Sequence, residues 1–258
     1  MRRHSFAVAM VGVVAVAAPI SLAGGNIATS APPALFHAPM IPVPGSPIPG
    51  SGSNQLNSTS TNWSGYAATG RPFTSVTASW TEPAVTCGAD PNSYSAFWVG
   101  LDGDGTSTVE QTGTDSDCRG TAPKYYAWYE MYPAFPVNLT GSVTPGDKMT
   151  ATVTKSGTSF TMTIADSTKG WTKSITKSSA KAKGGSAEVI TEAPSSGTGV
   201  LPLADFGNVA YTSATIDGSS LAAIGATAIT MKKSGIVDSS TSALSSAGHD
   251  FSNTWKHR

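Results

Sequence analysis

From about residue 57 the chain is a succession of short runs in which apolar and polar residues alternate, and this period of two limits the fold more than any other feature. Val76, Ala78 and Trp80 alternate with Thr77 and Ser79. Met149, Ala151 and Val153 alternate with threonines, and Phe160, Met162 and Ile164 resume the pattern after "KSGTS". Val209, Tyr211 and Ser213 continue it, as do Ala228 to Met231, and Phe251 and Trp255 place a last strand near the C-terminus. Side chains of an extended chain point alternately to opposite faces, so each run offers one apolar face to a core. Roughly a dozen such runs, with turn residues between them and no amphipathic helix, predict an all-β sandwich of antiparallel sheets. One domain is expected over residues 57–258.

What precedes it reads differently. Met1-Arg2-Arg3-His4 is basic, Phe6 to Ala18 is apolar, and Ser21-Leu22-Ala23 supplies small residues for cleavage. Residues 1–23 therefore read as a signal peptide, and the protein as secreted and extracellular. No later segment approaches the ~20 apolar residues of a membrane span. Residues 24–56, dense in Pro and then Gly and Ser, read as an extended linker or a propeptide. Export makes a disulfide the expected state of the two cysteines, Cys87 and Cys118.

Only 12% of residues are charged, and 16 Lys and Arg balance 16 Asp and Glu. Such a surface gives no electrostatic handle for nucleic acid or an anionic membrane. A monomer is expected. Within this neutral chain one segment departs. Between Arg71 and Arg119 stand Glu82, Asp90, Asp102, Asp104, Glu110, Asp115 and Asp117, with nothing basic and with the amide Gln111 among them.

Several chemistries can be set aside. His4 and His37 precede the domain, and His249 and His257 lie in its last ten residues, so a histidine-activated nucleophile lacks its base. Neither HExxH nor CxxC occurs. A calcium loop on Asp102, Asp104 and Glu110 has Thr106 and Ser107 where a further ligand and a glycine are wanted. No metal and no cofactor are expected. Carboxylates and amides remain.

Two further runs place such groups on strands. In "KYYAWYEMYP" (Lys124–Pro133), Tyr126, Trp128, Glu130 and Tyr132 share one face, and Tyr125, Tyr129 and Met131 the other. Either a two-sided core strand or a ligand-facing aromatic surface fits. In "SAEVITEAP" (Ser186–Pro194), Glu188, Ile190 and Glu192 share a face.

Taken in order, "NWSGY" (Asn62–Tyr66), "FWVGLDG" (Phe97–Gly103), "EQTGTD" (Glu110–Asp115), "AWYEMYP" (Ala127–Pro133) and "AEVITE" (Ala187–Glu192) closely resemble the glutamic peptidases, the eqolisin family. The resemblance implies a concanavalin-A-like sandwich of two antiparallel sheets and an acid endopeptidase acting on polypeptides. Its catalytic pair would fall on Gln111 and Glu192, with Trp63, Trp98, Asp102, Asp115 and Glu130 as substrate contacts. Val189, Thr191 and Met131 depart from the family's usual residues without removing a catalytic group. Glu192 would act as general base and acid toward a bound water, and Gln111 would stabilise the oxyanion. The alternative is a carbohydrate-binding or glycoside-hydrolysing sandwich, with Glu130 and Glu192, or Glu188 and Glu192, flanking the glycosidic bond.

Overall fold

The computed structural model describes residue 1, residues 34–44, 58–88 and 92–257. The chain divides into Met1–Pro32 and Pro33–Arg258; everything below concerns the second unit. The expected signal peptide lies outside the described residues, apart from Met1.

The strands, in chain order, begin with β1 (Ser58–Ser60), β2 (Trp63–Ala68), β3 (Ser75–Thr81), β4 (Asn92–Ser93), β5 (Ala96–Leu101) and β6 (Val109–Arg119). There follow β7 (Ala122–Tyr132), β8 (Val137–Ser142), β9 (Lys148–Ser156), β10 (Ser159–Asp166), β11 (Trp171–Ser178) and β12 (Ala187–Glu192). The last are β13 (Ser195–Ser196), β14 (Gly199–Val200), β15 (Asn208–Ile216), β16 (Ser219–Ser220), β17 (Thr227–Lys233), β18 (Ile236–Thr241) and β19 (Phe251–Trp255). A single helical turn, α1 (Leu221–Ile224), is capped by the Ser220 hydroxyl and closed by Gly225 at φ 73°.

Two antiparallel sheets face each other. The front sheet runs β17–β2–β12–β5–β6–β7–β8, with β1 lying parallel to β17. The back sheet runs β19–β15–β3–β9–β10–β11. β18 pairs with both β17 and β19 and so joins the sheets at one edge.

The alternating runs deliver what their period predicts. Val76, Ala78 and Trp80 of β3, Met149, Ala151 and Val153 of β9, and Phe160, Met162 and Ile164 of β10 point inward. They meet Phe97, Val99 and Leu101 of β5, Ala127 of β7 and Val189 of β12 from the front sheet. Fully burying one such large side chain contributes about 1.5–3 kcal/mol, so this layer carries the fold. Cys87 and Cys118 are bonded, with Cα atoms 5.4 Å apart across 31 residues. That bridge ties the end of β6 to the loop after β3, and a loop of that length is worth about 3–4 kcal/mol in the chain-entropy view.

Candidate active site

The site lies on the outer face of the front sheet, where period-two alternation and register stack residues in rows across β2, β12, β5, β6 and β7. One row is Trp63, Glu192, Ala96, Asp115 and Tyr126. The next on this face is Gly65, Ile190, Trp98, Gly113 and Trp128. A third is Ala67, Glu188, Gly100, Gln111 and Glu130. Two polar rows thus flank a row of indoles.

Small residues make room for the large ones. A Cβ on Gly113 would stand 2.5 Å from Trp98 Cβ, and one on Gly100 would stand 2.9 Å from the Trp98 ring. These two glycines let the Trp98 indole lie across the sheet. Its Nε1 then donates to Glu192 Oε2 at 2.9 Å. Trp128 does the same for the other carboxylate of its neighbouring row, donating to Asp115 Oδ1 at 2.6 Å. The indoles are therefore both the floor of the cleft and its hydrogen-bond donors.

Segment 34–44, from the stretch expected as linker or propeptide, occupies the cleft. Phe36 exchanges two backbone hydrogen bonds with Ser195, at 3.0 and 2.9 Å. The His37 carbonyl accepts from Gln111 Nε2 at 2.8 Å. The next amide, Ala38 N–H, donates to Glu192 Oε1 at 3.0 Å. The Ala38 carbonyl accepts from Trp63 Nε1 at 3.0 Å and from Asn62 Nδ2 at 3.4 Å. Beyond it, Met40 N–H donates to the Gly103 carbonyl at 3.1 Å and Ile41 N–H to Asn62 Oδ1 at 2.8 Å. Gln111 and Glu192 thus meet on one peptide group.

The His37 ring lies flat on Trp128, centroids 3.6 Å apart and planes 3° from parallel. Its Nδ1 stands 3.0 Å from Glu130 Oε2 and its Nε2 3.3 Å from Asp115 Oδ1. Burial opposes its charge, but Asp115 and Glu130 outweigh that, and the imidazole stays protonated well above its ordinary range. Glu130 Oε2 also accepts from the His37 amide and from Gln111 Nε2, each at 3.0 Å.

The carboxyls here hold their protons unusually tightly. Burial pushes Glu192 well above the usual carboxylate range; the His37 charge opposes this, while Glu130 and Asp115 add to it. Burial likewise raises Glu130, against the hydrogen bonds and charge of His37. It raises Glu188, with Asp104 and Asp102 contributing. Glu110, at the start of β6, is pushed up to about 9 by burial and by Asp102. A cluster of acids in a dry cleft is compatible with the fold only if its members are neutral, paired with a cation or hydrogen-bonded.

Of the residues singled out from sequence, Gln111, Glu192, Trp63, Trp98, Asp115 and Glu130 converge on this cleft. Asp102 is engaged elsewhere: its oxygens accept from the backbone amides of Lys183, Gly184 and Gly185 at 3.0, 2.7 and 2.8 Å. There it anchors the approach to β12. The acidic segment also splits by face, since Glu82 sits between the sheets, bonded to Trp80, Thr114 and Ser116. Two residues escaped the sequence reading. His37 was placed outside the domain, and only its neighbours in space reveal it. Asn62 stood in the quoted "NWSGY", yet nothing in the sequence tied its amide to the segment in the cleft.

The Peptidase A4 family profile matches residues 61–252. The chain belongs to the Peptidase A4 family. Aspergillopepsin-2 of Aspergillus niger is 32% identical over 230 residues, 76% of this chain and 81% of that protein. Among solved structures, scytalido-glutamic peptidase with a transition-state analogue inhibitor superposes with a TM-score of 0.66 at 27% identity, over 76% of this chain and 98% of the other. SCP-B, a member of the eqolisin family in complex with the tripeptide Ala-Ile-His, gives 0.62 at 25% identity over the same shares. This Peptidase A4 member is a glutamic-type acid endopeptidase.

Proposed function

We propose that the chain hydrolyses peptide bonds in acid with Gln111 and Glu192 as its catalytic pair. The observation that carries this is the peptide group seated between them, carbonyl on the Gln111 amide and N–H on Glu192. Ionised Glu192 takes a proton from a water attacking the carbonyl carbon. Gln111 Nε2, already 2.8 Å from the carbonyl oxygen, donates to it as it becomes an oxyanion. One such preorganised donor is worth on the order of 3 kcal/mol. Gln111 Oε1 is buried without a partner among the described residues, which leaves an acceptor for the water. Glu192 Oε1, 3.0 Å from the amide nitrogen, then returns the proton to the leaving amine.

Acid enters through the neighbours. An ionised Glu130 would lie 3.0 Å from the Gln111 donor and repel the developing oxyanion. Protonating it removes that charge and also eases the ionisation of Glu192, whose proton an ionised Glu130 helps to hold, so the rate falls toward neutrality as Glu130 ionises. Trp63 and Trp98 hold the backbone and the base, and Asp115, Glu130 and Trp128 form a pocket for the side chain preceding the scissile bond. One solved relative holds Ala-Ile-His, and this cleft holds Leu35-Phe36-His37 of its own chain. The protein is secreted, acts as a monomer, and its two sheets take the concanavalin-A-like arrangement. Asp102 acts on substrate only through the loop it anchors.

The test is hydrolysis of acid-denatured protein against hydrolysis of soluble polysaccharides, with and without a chelator. New amino termini in acid, unchanged by chelation, support the peptidase. Released reducing sugar with no new amino termini contradicts it.

A further inference from the structure

We propose that the bond between His37 and Ala38 is itself a substrate of this active site, so that the chain cuts its own leader there. The inference rests on the catalytic pair proposed above and names a target for it.

Three independent contacts define the register. On the carbonyl side, Phe36 is held as an added antiparallel strand against Ser195, the usual way an extended peptide is gripped by a sheet edge. On the amide side, the indole of Trp63 and the amide of Asn62 hold the Ala38 carbonyl. Between them, the carbonyl of His37 faces the oxyanion donor and the nitrogen of Ala38 faces the general acid. The amide of Ala38 stands where a leaving nitrogen must receive its proton.

The side chain fits as closely as the backbone. A flat cation with a nitrogen at each end suits a slot floored by Trp128 and closed by Glu130 on one side and Asp115 on the other. Asp115 and the imidazole are shielded from water, where a charge pair discriminates most between a matched and an unmatched side chain, and Glu130 adds a hydrogen-bond acceptor on the other nitrogen. Histidine before the cut is therefore the residue this pocket selects.

The reaction needs only water. Its oxygen bonds to the His37 carbonyl carbon, and the bond from that carbon to the Ala38 nitrogen breaks. One water proton passes through Glu192 to that nitrogen. The products are a His37 carboxyl and an Ala38 amine.

The experiment shifts the full-length chain to acid over a range of protein concentrations and follows intact mass and N-terminal sequence. The new N-terminus should read Ala-Pro-Met-Ile-Pro, appearing at a rate independent of concentration. Glu192→Gln should leave the bond intact, and His37→Leu should slow its cleavage by about tenfold or more, the loss expected from a buried charge pair. The same preparations are assayed on denatured protein. A chain that digests it but leaves His37–Ala38 whole overturns this inference alone; a chain inactive on both overturns the catalytic reading as well. Cleavage that speeds up with concentration, or is indifferent to His37→Leu, also overturns it. A synthetic peptide spanning Ala34–Pro44, given to leader-free enzyme, guards against misfolded variants. It should be cut after its histidine, and a peptide neither cut nor inhibitory contradicts the proposal.

Discussion

The two outward faces of the sandwich come from the same alternating pattern and end as opposites. On the back sheet the outward positions are hydroxyls that pair across strands. Thr77 bonds Thr152, Ser79 bonds Thr150, Thr161 bonds Thr176 and Thr163 bonds Ser174, all at 2.8–2.9 Å. They are neutral, partly wet and satisfied by one another. On the front sheet the outward positions of β12, β6 and β7 are Glu188, Glu192, Gln111, Asp115 and Glu130, each fully buried. A hydroxyl ladder costs little wherever it lies. Buried carboxyls cost several kcal/mol each unless they are protonated, paired or bonded. The difference teaches that alternation assigns faces, while burial decides whether a face is a surface or a reaction vessel.

The sharpest way to break this contrast is to add one more charge to the cleft. Gln111→Glu places a carboxyl 3.0 Å from Glu130 and removes the oxyanion donor. Activity on a peptide substrate in acid should fall by ~10²–10³-fold. Full activity would mean that Gln111 has been misassigned.

A second test asks whether burial alone produces the effect, using a carboxyl away from the cleft. Glu82 is buried between the sheets and pushed up to about 7 by burial, against hydrogen bonds from Thr114, Ser116 and Trp80. The native state holds this proton more tightly than the unfolded chain. Its contribution is therefore complete below the unfolded value of about 4.5 and is lost as pH rises to about 7, worth on the order of 3 kcal/mol. Glu188, Glu192 and Glu130 act in the same direction, whereas Asp147 and Asp217, lowered by partners that include Lys169 and Arg71, act oppositely near the surface. Melting temperature should fall from acid toward neutrality, and less steeply in Glu82→Gln. A stability maximum at neutral pH would contradict the burial argument.

The smallest effect is expected on the back face. Replacing Thr161 and Thr176 together by valine removes one hydroxyl pair from an exposed ladder and should change stability by less than about 1 kcal/mol in a denaturant titration. A larger loss would show that this face carries more than a solvated surface does.

Much of this was legible before any coordinates. Period two placed the strands of Val76–Trp80, Phe160–Ile164 and Phe251–Trp255, because alternation is a local property of the chain. Parity also put Tyr126, Trp128 and Glu130 on one face, where Trp128 and Glu130 meet His37, while the other face packs Tyr125, Tyr129 and Met131 against the core. Which strands sit side by side is a long-range property, so the rows that join Glu192 to Asp115 and Gln111 to Glu130 could come only through family resemblance. His37 was invisible for the same reason. Its meaning depends on Asp115, Trp128 and Glu130, all at least 78 residues away along the chain, and a proline-rich stretch carries no pattern that announces docking.

The most direct test of the account is kcat/KM of leader-free enzyme on a peptide substrate in acid, for Glu192→Gln beside Glu188→Gln. Both glutamates lie on the same face of β12 and both are fully buried, so folding and burial are matched. Losing the general base should cost ~10²–10⁴-fold in the first variant, while the second keeps most of its activity. Equal loss in both, or a Glu192→Gln enzyme within about tenfold of wild type, would contradict the assignment of the catalytic carboxyl.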